Sequence, residues 1–201
     1  MIGTDIIARF NLQVDDSSEL SSTEELDLAN EVYTDIANDR QWEWLKTTAT
    51  GTTSTSVSYI ALPSDFKEIT QNKYNKSVVF VGTDFQEYIV IPFSSRRDYR
   101  NQDGFCYIDV PNQRLYFTLQ PTSAKAIEYD YIKRPTALTT STAPLVTTDQ
   151  FGNLIAYGMA AKFNPIEQSD KSSSYRQENQ IEYTRILSDV QMEDTNIKLS
   201  M

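Results

Sequence analysis

The stretch that decides the fold is residues 40–66, RQWEWLKTTATGTTSTSVSYIALPSDF, where a helical pattern gives way to a strand pattern. The only two tryptophans, Trp42 and Trp44, lie at its start. Residues 47–58 are mostly Thr, Ser, Ala and Gly, which is typical of a connection or an exposed strand. Residues 62–66, LPSDF, end the first β-rich run with a turn. We therefore expect a helical part and a β part to meet here.

Two helices are predicted before this junction. A short one over residues 4–14 has Thr4 as its N-cap. A longer one over residues 23–46 opens with a capping box, in which Ser22 and Glu25 satisfy each other's exposed N–H groups. Apolar side chains recur at spacings of three and four along the longer helix and predict one buried stripe, completed by the stem of Arg40: Leu26, Ala29, Val32, Tyr33, Ile36 and Ala37.

After the junction the pattern is that of short β-strands. Runs rich in Val, Ile, Tyr and Phe are bounded by turn residues such as Gly82 and Pro111. Ile127, Tyr129 and Tyr131 alternate with polar residues, so we expect them on one face. The pattern predicts a six- or seven-stranded antiparallel sandwich or curled sheet, with strands over residues 57–62, 68–74, 78–81, 88–91, 105–110, 114–119 and 126–133.

A second Thr-rich connection, residues 135–148, leads to two further helices. The first is predicted to run from a cap at Thr148 or Asp149 to about residue 163, and the second from a capping pattern at residues 174–177 to about residue 192. No single helix can bury its apolar stripe alone. We therefore predict an α+β protein whose helical bundle is built from both chain ends.

The predicted bundle takes residues 1–46 and 149–192. The inserted antiparallel β-sandwich-like module takes residues 47–148 and is bounded by the two Thr-rich linkers. Residues 193–201 show no regular pattern and are expected to form a flexible tail that becomes ordered on docking.

Charge is distributed unevenly along the 201 residues, which carry a net charge of −10. Residues 1–50 hold 11 acidic and 3 basic side chains, residues 51–135 hold 9 and 10, and residues 136–201 hold 8 and 5. Proteins that grip DNA phosphates need clustered Lys and Arg, so the balance argues against a DNA-binding surface. No apolar run is long enough for a membrane helix, so no membrane partner is expected.

Candidates for catalysis are few. The chain has no histidine, one cysteine and no Gly-rich phosphate loop, so we predict no catalytic, cofactor-binding or metal-binding residues and no cofactor. Cys106 is expected to be a core residue. Glu128 and Asp130 share a strand face at a spacing of roughly 7 Å, which a glycosidase could use. A solvated outer face is the favoured interpretation, and the hydrolase stays an alternative.

The basic side chains form two clusters, Arg96, Arg97 and Arg100 in one, and Lys133 and Arg134 in the other. In a chain of this net charge they indicate a solvated face, or the positive half of a contact with an acidic subunit. The 12 tyrosines suit interfaces as well as cores, since tyrosine combines apolar area with a polar end.

A series of motifs over roughly residues 20–190 resembles the head-to-tail adaptor, or connector, proteins of tailed bacteriophages, in particular the tail tubular protein A-like adaptors of short-tailed phages. The motifs are, in chain order, WEWL at 42–45, the strand and turn at 59–66, RLYF at 114–117 with QP at 120–121, YDYIKRP at 129–135 with LT at 138–139, and the helix at 151–163.

The resemblance implies a structural virion protein and not an enzyme. Such adaptors form a ring, usually of twelve subunits, between the portal protein and the tail nozzle or tail tube protein. The resemblance implies that the bundle of residues 1–46 and 149–192 lies on the ring and portal side and that the β module of residues 47–148 lies on the tail side. DNA passes through the channel without sequence-specific binding. The protein would lie at the neck of the virion, and in the host cytoplasm during assembly.

The candidate partner-binding residues follow from this reading: Trp42, Trp44, Arg96, Arg97, Arg100, Asn196, Ile197, Lys198, Leu199 and Met201. The acidic face of residues 24–43 or of residues 177–194 would line the channel, because acidic walls repel phosphates and let DNA slide. The alternative is a carbohydrate- or protein-binding β module of a phage or bacterial surface structure, with exposed tyrosines and Trp42 or Trp44 as its platform.

Overall fold

The computed structural model describes residues 2–14, 20–72, 74–144, 148–163 and 169–200, without the side chains of 169–175 and 196–200. The chain divides into two units. We call Met1–Trp44 with Pro135–Met201 the helical unit, and Leu45–Arg134 the β unit. The residues that the structure describes form four α-helices and eight strands, which confirms the predicted α+β class.

Helix α1 spans Gly3–Gln13 and begins earlier than predicted. Its N-cap is Ile2 and not Thr4, and the Ile2 N–H donates to the Asp5 carboxylate at 2.9 Å. The Gly3 N–H donates to the Thr142 carbonyl at 3.0 Å, and a side chain at Gly3 would collide with the Thr139 backbone. Glycine is thus required where α1 begins against the second Thr-rich segment.

Helix α2 spans Ser22–Asp39, so the predicted bounds of 23–46 were wrong at the C-terminal end. The capping box is formed by Ser21 and Glu24, one residue earlier than the predicted Ser22 and Glu25. Beyond the helix, Arg40 is extended, and the indole N–H of Trp42 donates to the Ile36 carbonyl at 2.6 Å. This bond satisfies a carbonyl of the last helical turn, which has no partner within the helix.

Helix α3 spans Asp149–Lys162 and confirms the predicted element. Thr148 is its N-cap, accepting the Phe151 N–H at 3.3 Å. Helix α3 contacts α1, α2 and α4, and most of its apolar side chains are buried. Gly158 allows this close packing, since a Cβ there would lie 2.5 Å from Val32 Cγ1 and 3.0 Å from Tyr183 Cε2.

Helix α4 spans Ser169–Ser200, longer at both ends than the predicted 174–192. The expected irregular tail is thus helical as far as Ser200. A contact at Asp194 accounts for part of the extension: its carboxylate accepts the Glu43 N–H at 3.0 Å and the side chain is buried. Because this hydrogen bond fixes the chain at Asp194, it stabilises helix α4 beyond its predicted end at residue 192.

The β unit holds one mostly antiparallel, nearly closed sheet with the strand order β1-β8-β4-β5-β6-β7-β2, and β3 also pairs with β8. Of the two predicted alternatives, a sandwich and a curled sheet, the single nearly closed sheet agrees with the curled sheet. The eight strands are β1 (Lys46–Thr52), β2 (Tyr59–Ala61), β3 (Phe66–Ile69), β4 (Val78–Val81), β5 (Gln86–Ile91), β6 (Phe105–Asp109), β7 (Arg114–Phe117) and β8 (Ala126–Lys133).

Strand β8 pairs with three other strands. Strand β1 pairs along one edge of it, from Lys46 opposite Ile132 to Thr52 opposite Ala126. Strands β3 and β4 share its other edge. Part of the Thr-rich tract is thus a paired strand, as one of its two predicted interpretations allowed.

Strands β5 and β6 are parallel, which contradicts the prediction of an entirely antiparallel module. The physical reason is the connection: a 3₁₀ helix at Phe93–Arg97 and a loop separate the two strands, and no tight hairpin joins them. Hairpin geometry does hold between β4 and β5, where Gly82 has a φ of 81°.

The core of the β unit confirms the alternation in the sequence. Ile127, Tyr129 and Tyr131 on β8 are all buried, as predicted, whereas Glu128 and Asp130 are exposed. Leu115 and Phe117 are buried too, but Leu119, at the end of the predicted strand 114–119, lies beyond β7 and is 41% exposed.

Candidate interaction surface

Three tyrosines form a row on the outer face of β6, β7 and β2. Tyr107 lies opposite Tyr116 in the pairing of β6 and β7, and Tyr116 lies opposite Tyr59 in the pairing of β7 and β2. The ring centroids are 5.3 Å apart in the first pair and 5.2 Å in the second. Because Cys106 and Leu115 point into the core, strand alternation sends these tyrosines outward.

Arginine side chains cover both ends of the row. The guanidinium carbon of Arg114 lies 4.1 Å from the Tyr59 ring centroid, and Arg114 also donates to the Tyr116 hydroxyl at 3.4 Å. At the other end, Arg96 lies 3.9 Å from the Phe93 ring centroid, and that ring meets Tyr107 edge-on at 5.8 Å. Cation–π contacts of this kind are worth about 0.5 to 1 kcal/mol at exposed sites.

The predicted cluster of Arg96, Arg97 and Arg100 is brought together beside the row. All three line an open groove of about 320 Å³, together with Tyr107 and with Ser58, Asn101, Phe117, Thr118 and Gln120. Arg97 and Arg100 are exposed. Lys133 and Arg134, the other predicted cluster, are not among the residues that line it.

We call this surface the arginine–tyrosine face and define it by Tyr59, Phe93, Arg96, Arg97, Arg100, Tyr107, Arg114 and Tyr116. Burial raises the pKa of Tyr107 above its ordinary value of 10.0, and the neighbouring Tyr116 contributes a smaller increase. The hydrogen bond to Tyr116 raises the pKa of Arg114. Both shifts keep these two groups in their ordinary forms at physiological pH, with Tyr107 as a neutral phenol and Arg114 as a positive charge.

Two carboxylates adjoin the face. Asp109 lies opposite Arg114 in the β6–β7 pairing, and its oxygens accept the Asn112 backbone and side-chain N–H groups. Asp98 follows the 3₁₀ helix directly. The four arginines outnumber these two acids, so the face is basic within a chain that is acidic overall.

The two tryptophans belong to the helical unit. Trp42 is fully buried, and its ring lies 5.9 Å from the Trp44 ring. Trp44 stacks on Tyr33 at 6.2 Å and meets Phe151 edge-on at 5.4 Å. Trp42 is thus placed as a core residue, and Trp44 is half-buried, with a buried indole nitrogen that has no hydrogen-bond partner among the described residues.

The predicted C-terminal contact residues cannot be placed as a surface. Helix α4 includes Asn196, Ile197, Lys198 and Leu199, but the side chains of these four residues are outside the described part of the chain. Met201 lies outside the described residues altogether. Their role as partner contacts stays a prediction.

The residues weighed for chemistry have ordinary surroundings. Glu128 and Asp130 are exposed, and Asp130 accepts the Thr48 hydroxyl at 2.6 Å. Cys106 is fully buried, and burial raises the pKa of its thiol to about 12, so a thiolate nucleophile is not available there. Within the described ranges, no group of three or more His, Cys, Asp or Glu side chains could hold a metal ion.

Charge differs strongly between the two units. The helical unit has 19 acidic and 7 basic side chains, a net charge of −12, whereas the β unit has 9 and 11, a net charge of +2. Exposed acids on α2 recur every four residues at Asp27, Glu31, Asp35 and Asp39. Lys162 pairs with Glu31 at 2.7 Å and with Asp35 at 2.5 Å, which offsets part of their repulsion.

The sequence reasoning identified the arginine cluster but missed Tyr59, Tyr107, Tyr116 and Arg114 as parts of the same surface. Their alternation with apolar residues along each strand does mark them as outward-facing. The pairing of β2 with β7, two strands that are far apart in the chain, is what brings them into one row.

No helix in the described part of the chain is both long and apolar enough to span a bilayer.

Comparison with known proteins identifies the family to which the chain belongs. A search of curated proteins finds no match. A family model described as SU10 adaptor protein matches residues 1–198, which is nearly the whole chain. The chain therefore belongs to the SU10 adaptor protein family, a family of phage adaptor proteins.

Proposed function

We propose that this protein is a structural head-to-tail adaptor, which forms a ring between the portal and the tail of a phage and leaves a channel for DNA. The observation that carries the proposal is the family match over residues 1–198. An adaptor acts by assembly, so we propose no catalytic activity and no cofactor.

The four helices would form the ring-building part of the molecule. Helix α3 packs against α1 and α2 from the N-terminal end of the chain and against α4 from the C-terminal end. We propose that these helices form a bundle built from both chain ends that meets the portal. The β unit would then meet the tail nozzle or tail tube protein.

Charge supports a DNA channel lined by helices. The helical unit carries a net charge of −12, and exposed acids follow one another along α2. An acidic wall repels phosphates, so DNA slides past it without being held. We propose that the acidic face of α2 or of α4 lines this channel, and that the last residues of α4 contact the portal or a neighbouring subunit.

The proposal is tested by mixing the purified full-length chain with purified portal protein and measuring the mass of the product in its native state. A single complex with many copies of the chain on each portal is expected, and twelve copies would match other adaptor rings. Absence of any association would overturn the proposal.

A second candidate is a carbohydrate- or protein-binding β module, which the outward tyrosine row favours. Trp42 cannot contribute to a glycan platform, because it is fully buried. A glycan array probed with the full-length chain separates the two functions. Binding that is lost in a Tyr107→Ala variant would favour the module over the adaptor.

A further inference from the structure

We propose that the arginine–tyrosine face binds the acidic helical unit of a second copy of this chain. The inference rests on the proposed ring, since it names the contact through which neighbouring subunits would join. It assigns one side of that contact to β6, β7, β2 and the Phe93–Arg97 segment, and the other side to the acidic face of α2.

The composition of the face is that of an interface core. Tyrosine and arginine are among the side chains enriched in interfaces and in their energetic hot spots. Here three tyrosines stand in one row with arginines fixed on rings at both ends, so little side-chain freedom would be lost on binding. Phe93, at the end of the row, is 44% exposed and offers apolar area.

The charge of the face selects an acidic partner. Arg97 and Arg100 are exposed beside the groove, and Arg96 and Arg114 add two more positive charges along the tyrosine row. Guanidinium groups form paired hydrogen bonds with carboxylates. A basic or neutral partner would leave these arginines desolvated without compensation.

A second copy of the chain carries the complementary surface. The helical unit has a net charge of −12, and Asp27, Glu31, Asp35 and Asp39 are exposed along α2 at a four-residue spacing. Lys162 of the same chain pairs with Glu31 and Asp35 and offsets part of this charge. In this arrangement α2 meets the neighbouring subunit, and the acidic face of α4 lines the DNA channel. A contact between two different surfaces of identical subunits generates a ring when its rotation closes, which suits an adaptor.

The first experiment reverses charge on the face. Arg97→Glu with Arg100→Glu changes two exposed side chains and leaves the stacked arginines in place. The matched control is Lys76→Glu with Lys125→Glu, which makes the same change in net charge at two other exposed sites of the β unit. We expect the first variant to need about tenfold more protein than the control for ring assembly on portal.

The second experiment identifies what lies on the face. The photo-crosslinking amino acid p-benzoylphenylalanine is placed at Tyr116 in the full-length chain, the ring is assembled on portal, and the cross-linked peptides are sequenced. The expected product joins two copies of this chain and maps to α2. Labelling of the portal, or of the β unit of another copy, would overturn the inference.

The results distinguish the inference from the function on which it rests. If the unmodified chain assembles no ring, the proposed function fails and this inference fails with it. If the unmodified chain assembles a ring and Arg97→Glu with Arg100→Glu assembles equally well, only the inference fails. Weaker assembly of this variant alone, with cross-links to the helices of a second copy, supports it.

Discussion

Replacing Trp42 with alanine tests whether this residue acts in the core of the helical unit or at a partner surface. Trp42 is fully buried, packs against Trp44, and donates its indole N–H to the Ile36 carbonyl at 2.6 Å. Substituting a buried Trp with Ala typically costs about 3 to 5 kcal/mol of unfolding free energy. That loss is a large part of the stability of an ordinary domain.

A second substitution separates the contribution of ring packing to this loss of stability from the contribution of the indole hydrogen bond. Trp42→Phe keeps an aromatic ring in the site but leaves the Ile36 carbonyl without its indole donor. An unsatisfied buried acceptor costs about 1 to 3 kcal/mol, so Trp42→Phe should fall between the unmodified chain and Trp42→Ala. The matched control is Leu12→Ala in α1, which changes a side chain that is 82% exposed and should shift stability by about 0.5 kcal/mol at most.

Urea unfolding followed by circular dichroism at 222 nm measures these differences, because the helical unit supplies most of that signal. A loss below about 1 kcal/mol for Trp42→Ala would refute the placement of Trp42 in a packed core. If stability were retained while assembly on portal was lost, the prediction of a partner contact at Trp42 would be favoured instead.

Three further predictions follow from buried and capping contacts. Gly158→Ala should lower the unfolding free energy by about 1 to 3 kcal/mol, since the added methyl group meets Val32, and combining it with Val32→Ala should cost less than the sum of the two changes in urea unfolding. Cys106 should react with Ellman's reagent at pH 8 only after unfolding, because its thiol is buried and its pKa is raised to about 12, and rapid reaction of the folded chain would contradict its placement. Hydrogen bonds from Ser21 lower the pKa of Glu24 from its ordinary value of 4.5, so this contribution to stability is present above that pH and is lost as the pH falls through the lower folded-state value. In Ser21→Ala, thermal unfolding between pH 5 and pH 2 should therefore show a weaker acid dependence, and an unchanged dependence would count against the cap.

Local patterns were sufficient to predict several elements. Thr148 before an apolar run marks the start of α3, and alternation along Ile127, Tyr129 and Tyr131 marks the buried face of β8. The predicted capping box of α2 was one residue away from the observed one, because Ser21 and Ser22 are each followed three residues later by glutamate. The sequence does not show which serine is used.

Long-range contacts account for what the sequence did not reveal. Helix α2 ends at Asp39 because Arg40 is extended and the indole of Trp42 donates to the Ile36 carbonyl. Strand β1 forms because β8, about 80 residues away, supplies its partner edge. The parallel pairing of β5 and β6 depends on the path of the connection between them, which has no periodic signal.

The interaction surface was only partly predictable, because it too depends on contacts between strands that are far apart in the chain. Arg96, Arg97 and Arg100 are close in sequence and were identified as a cluster. The tyrosine row is assembled from three strands, of which β2 lies far from β6 and β7 in the chain. A single sequence shows that each tyrosine alternates outward, but not which strands become neighbours.

The central claim, that this protein is an adaptor ring at the junction of head and tail, is tested most directly by electron cryo-microscopy of the intact virion. The account predicts a ring of this chain between the portal and the tail, with acidic helices of the helical unit facing the DNA channel. Finding the chain at the tip of the tail, on fibres or on the outer capsid surface would contradict it.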